Sequence, residues 1–72
     1  MATNPPMNEN FCYDWGETVR VVATALSVMR PGQVCSICGM RQHEAVNLYL
    51  VEFSDGDAFE VPENQLQPMI VE

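Results

Sequence analysis

The thiols are the residues of this chain with the widest chemical repertoire. Cys35-Ser36-Ile37-Cys38-Gly39 has the Cys-x-x-Cys-Gly form of a zinc knuckle, in which the glycine lets backbone N–H groups approach the thiolates. Cys12 and His43 are the further residues that could complete a Cys₃His tetrahedron. No second Cys-x-x-Cys pair accompanies the first, and the same segment supplies Val34 and Ile37 to a strand. Free cysteines and no bound metal or other cofactor are therefore expected. A redox dithiol would want a helix N-terminus after its first cysteine to lower the thiol pKa, and Gly39 argues against that helix. His43, beside Glu44 in a polar stretch, reads as a surface histidine. No Ser-His-Asp or Cys-His pairing is legible, so no catalytic residue is assigned and an enzyme is not expected.

The carboxylates form the second chemical grouping. Glu52, Asp55, Asp57, Glu60 and Glu63 fall on and beside one predicted hairpin, and no Lys or Arg follows Arg41. Asp55-Gly56-Asp57 is turn chemistry first, and it lacks the ligand spacing and distal glutamate of a calcium loop. These five residues are instead the candidate docking face for a basic protein partner.

The whole chain supports that bias. Ten acidic residues against three arginines and no lysine give a net charge of −7. Arg20, Arg30 and Arg41 are too few to form the basic stripe that draws a protein to a phosphate backbone, so nucleic acid is an improbable partner, and an anionic membrane surface equally so. No apolar run approaches the roughly 20 residues needed to span a bilayer, and the first residues carry neither the basic nor the apolar region of a secretion signal. An odd cysteine count suits a reducing compartment. A cytoplasmic protein is the expectation, and with 72 residues its small core leaves room for homo-oligomer formation.

Residues 1–10, with Pro5, Pro6 and three asparagines, read as a mobile arm ahead of a domain over 11–72. From Phe11 onward, short apolar runs broken by Gly and Pro predict an all-β domain. Val19 and Val21 mark the first strand, and Arg30-Pro31-Gly32 ends a long loop over 25–31. Val34 and Ile37 are the predicted core positions of the second strand, and their spacing of three implies a bulge or strong twist. Gly39 is read as a turn, with 40–46 as the loop beyond it. In NLYLVEF the alternation predicts Tyr49, Val51 and Phe53 inward. Asp55-Gly56 supplies a tight hairpin, and Val61 anchors the return strand. Pro62 opens a single helical turn before a last strand, Pro68-Met69-Ile70-Val71.

Five short strands, a long first loop, an Asp-Gly hairpin and a one-turn helix before the last strand resemble the small five-stranded Src-homology-3-like barrel. Trp15-Gly16, Val19-Arg20-Val21 and Pro31-Gly32-Gln33-Val34 are similar to the KOW pattern. Phe53-Ser54-Asp55-Gly56, Val61-Pro62-Glu63 and Leu66-Gln67-Pro68 resemble Tudor domains. The resemblance implies a non-catalytic binding or regulatory module, an immunity-like or inhibitor protein being one form of it. It also implies a possible aromatic cage for a methylated cation, built from Tyr13, Trp15, Phe53 and Asp55, although no aromatic occurs between Trp15 and Tyr49 to supply a second-strand member. The alternatives are a zinc-stapled barrel using Cys12, Cys35, Cys38 and His43, or a small oligomeric enzyme with its site at a subunit interface.

Overall fold

The computed structural model describes residues 11–69. The proposed arm at 1–10, and Ile70 and Val71 of the expected last strand, lie outside the described residues. Five strands follow in order: β1 Thr18–Val21, β2 Val34–His43, β3 Val46–Phe53, β4 Ala58–Pro62 and β5 Leu66–Pro68. They form one antiparallel sheet with the order β4-β3-β2-β1-β5. The class is all-β, and the only helical elements among the described residues are two 3₁₀ turns, Ser27–Met29 and Glu63–Gln65. No helix among them is long and apolar enough to cross a membrane. Hydrogen bonding does not close the sheet into a barrel, since β4 and β5 remain its two edges. Both edges nonetheless feed one core, through Val61 and Leu66, so the sheet must curl around it.

The inward face of β3 is Tyr49, Val51 and Phe53, as the period-two pattern predicts; Val19, Val21, Ile37, Val61 and Leu66 are the other buried aliphatic residues. Val34 does not join them. It is 40% exposed, and Cys35 takes the inward position as a small hydrophobe. The ladder pairs Cys35 with Phe53 and Ile37 with Val51, so the inward spacing is two, not three.

The expected irregularity is present one step later. Ile37 faces Val51 and Gly39 faces Leu50, leaving Cys38 as the extra residue of a β-bulge. The bulge switches the parity of β2: Cys35 and Ile37 point inward before it, and Met40 packs against the core after it, opposite Tyr49. Gly39 therefore sits within a continuous strand rather than at a turn. The predicted loop 40–46 is the far half of β2, a two-residue hairpin turn in which Glu44 and Ala45 adopt φ of 52° and 68°, and the first residue of β3. Such a turn favours Asn or Gly at both positions, which is why this one left no sequence signal.

The connection between β1 and β2 contains the Ser27–Met29 turn, ended by Arg30 at φ 62°. Its base is tied to β1 by hydrogen bonds from Val21 N–H to the Gln33 carbonyl and from Gly32 N–H to the Val21 carbonyl, both 2.9 Å. The Glu63–Gln65 turn is the helical turn expected after Pro62, and β5 follows it directly.

Candidate functional site

The β3–β4 turn holds a cation supplied by the chain itself. Asp55 accepts a hydrogen bond from the Asp57 N–H at 3.1 Å, which fixes the two carboxylates on one side of the turn. Arg30 reaches across from the β1–β2 loop and donates to Asp55 at 2.9 Å and to Asp57. Its guanidinium carbon stands 5.0 Å from the centroid of the Phe53 ring. The Arg30 hydrogen bond holds the Asp55 carboxyl below the usual carboxylate range. Behind this contact Phe53 packs on Phe59 with centroids 5.2 Å apart.

The aromatic cage is consequently not assembled. Phe53 and Asp55 do lie together, but the cation they hold is Arg30. Tyr13 is buried elsewhere, edge-on to Tyr49 at 5.4 Å, with its hydroxyl donating to the Leu66 carbonyl at 3.2 Å. Trp15 stands 62% exposed on the segment that leads into β1.

The five acidic residues have unequal surroundings. Asp55 and Asp57 hold Arg30, and Glu60 on β4 holds Arg41 through two hydrogen bonds of 2.6 and 2.8 Å that cross β3. That pairing keeps the Glu60 carboxyl below the usual range. Glu63 accepts hydrogen bonds from the Tyr49 hydroxyl, from the Cys12 N–H at 2.9 Å and from Asn47 at 3.2 Å. Burial alone would push its carboxyl up, and these donors outweigh burial and hold it below the usual range. Glu52, by contrast, projects from the outward face of β3, and its hydrogen-bond partner among the described residues is the Cys38 thiol, a weak donor, at 3.7 Å.

A groove of about 340 Å³ opens beside Glu52 on that outward face. The register places Thr18, Ser36 and Glu52 in one row across β1, β2 and β3. Val34 and Ser54 border the row.

The four residues proposed for zinc are dispersed. Cys35 is buried on the inward face, where burial, with Cys38 second, pushes its thiol up to about 11. Cys38, on the bulge, directs its thiol outward toward Glu52. Cys12 lies by the Tyr49–Glu63 pair, and His43 ends β2 at the hairpin tip. Cys35 pairs with Phe53 and His43 with Val46, seven steps apart along β3, about 23 Å at the usual rise. No cluster of three or more His, Cys, Asp or Glu that could hold a metal occurs among the described residues.

Two features of the site left no mark in the sequence. Arg30 finds its carboxylates 25 and 27 residues away, and the Tyr49 hydroxyl gathers Cys12 and Tyr13 from one distant segment and Glu63 from another. Compared with known protein families, with curated proteins and with solved structures, the chain matches none.

Proposed function

We propose that the chain is a non-catalytic binding module, a Src-homology-3-like small sheet of Tudor or KOW type, that docks a basic protein partner in the cytoplasm in an accessory or immunity-like role. The observation that carries this reading is the fate of its cations. All three arginines are engaged within the molecule: Arg20 with the Gly32 carbonyl at 2.9 Å, Arg30 with Asp55 and Asp57, Arg41 with Glu60. The excess of acidic charge, −7 over the whole chain once the three arginines are counted, therefore remains, and two of those arginines are held by the chain's own carboxylates. Such a field attracts basic partners and repels phosphate backbones.

Exposed apolar side chains add to the case. Trp15 before β1, and Leu26 and Val28 on the β1–β2 loop, are more than 60% exposed. Large apolar groups held outward on a small domain are the anchors that partners bury. The long β1–β2 connection, the Asp55-Gly56 turn and the helical turn ahead of β5 favour the barrel-like resemblance.

The test is affinity capture from the native host with the chain immobilised, eluted by a salt gradient. The reading expects a basic protein released as salt rises. An acidic or neutral partner whose retention ignores salt would overturn it.

A further inference from the structure

We infer that the groove beside Glu52 is where a cationic side chain of the basic partner seats, an inference that rests on the binding function proposed above. Each of the other four hairpin acids already has a strong donor. A foreign cation approaching Asp55, Asp57 or Glu60 must displace Arg30 or Arg41, and one approaching Glu63 must displace the Tyr49 hydroxyl. At Glu52 the cation displaces only the Cys38 thiol, a weak hydrogen-bond donor, at 3.7 Å. The acid of the hairpin with the least internal commitment therefore offers the largest net gain to an incoming charge.

The surroundings match a Lys or Arg side chain in both polarity and shape. Glu52 supplies the charge, and the hydroxyls of Thr18, Ser36 and Ser54 can accept the remaining N–H donors. Val34, outward and 40% exposed, provides an apolar wall for the alkyl stem below the charged head. This gives a role to the valine that the sequence pattern assigns to the core.

The inference is tested with an eight-residue Gly-Lys alternating peptide, titrated at low salt against isotopically labelled protein. Three proteins are compared: the unmodified chain, Glu52→Gln and Glu44→Gln. The two variants carry the same net charge, and Glu44 lies at the tip of the β2–β3 hairpin with its side chain 85% exposed. Amide shifts centred on Thr18, Ser36, Glu52 and Ser54 are expected. Glu52→Gln should weaken the peptide at least roughly threefold, the effect of losing one partly screened charge pair, and Glu44→Gln should leave affinity nearly unchanged. Equal weakening by both variants, with shifts spread over the acidic surface, would overturn the groove and leave the basic-partner function standing. No binding by any of the three proteins at low salt would overturn both.

Discussion

The Arg30 guanidinium lies 5.0 Å over the ring of Phe53, so the face of an inward-pointing aromatic is capped by a cation from a loop 23 residues earlier in the chain. With Asp55 and Asp57 on its other side, that cation fastens the β1–β2 loop to the β3–β4 turn.

Replacing Arg30 with Met keeps much of the apolar stem and removes the charge. The Asp55 carboxyl, which Arg30 holds below its ordinary range, should then titrate at higher pH, still lowered by the hydrogen bond from the Asp57 N–H. Carboxyl-detected NMR titration of the two proteins measures this. An Asp55 titration that the substitution leaves unmoved would show that Arg30 does not engage it in solution.

Tyr49→Phe removes a hydroxyl that accepts from the Cys12 and Tyr13 N–H groups, at 2.9 and 3.3 Å, and donates to Glu63. The Cys12 N–H keeps Glu63 as an acceptor, whereas the buried Tyr13 N–H loses the partner it has in Tyr49, at a cost of about 1–3 kcal/mol. Denaturant melts should show that loss, and amide exchange at Cys12 and Tyr13 should accelerate ahead of the sheet. Unchanged exchange at both amides would refute the clamp.

The inward and outward assignments are separable by mutation. Val51→Ala should cost about 1–3 kcal/mol, because Val51 is fully buried. Val34→Thr should stay within about 0.5 kcal/mol, as for an exposed strand position. Equal losses at the two sites, measured by denaturant unfolding, would contradict the register of β2.

Much of this fold was legible because short-range patterns determine it. Tyr49, Val51 and Phe53 alternate cleanly on one strand, Asp55-Gly56 has the chemistry of a tight turn, and Pro62 opens a helical turn. The second strand was harder to read, since Cys35 occupies a core position that residue type suggests for Val34, and the Cys38 bulge then reverses the inward parity. Met40-Arg41-Gln42-His43 looks like loop because this end of β2 has few neighbours to bury it; its support is the cross-strand pairing with β3 and the reach of Arg41 to Glu60. The candidate site was legible only as a concentration of acids. Which acid is committed and which is open depends on Arg30, Arg41 and Tyr49, whose partners are set by the folded topology.

Stability should fall at both ends of the pH scale. Asp55, Glu60 and Glu63 are held below their ordinary values, so the folded chain binds these protons less tightly than the unfolded chain. Their stabilisation is complete above about pH 4–5, the unfolded range, and is lost as pH drops through the folded values. Cys35 has the opposite sign. Pushed up to about 11 from 9.0, first by burial and then by Cys38, it stabilises fully below pH 9.0 and loses that contribution as pH rises toward 11. Thermal melts across the range should show a neutral plateau, and Cys35→Ala should flatten part of the alkaline decline. An alkaline limb identical in that variant would remove Cys35 from this account.

Recognition of a basic partner by a net acidic surface is tested most directly by association rates. The partner captured from the native host is mixed with the chain, and with the triple variant Asp55→Asn, Asp57→Asn, Glu60→Gln, at low and high salt. The substitutions remove three negative charges and also release Arg30 and Arg41 from their internal carboxylates. At low salt the variant should associate roughly tenfold or more slowly, and high salt should slow the unmodified chain toward the variant's rate. Association rates indifferent to both salt and the triple substitution would contradict the claim that this surface recognises its partner by charge.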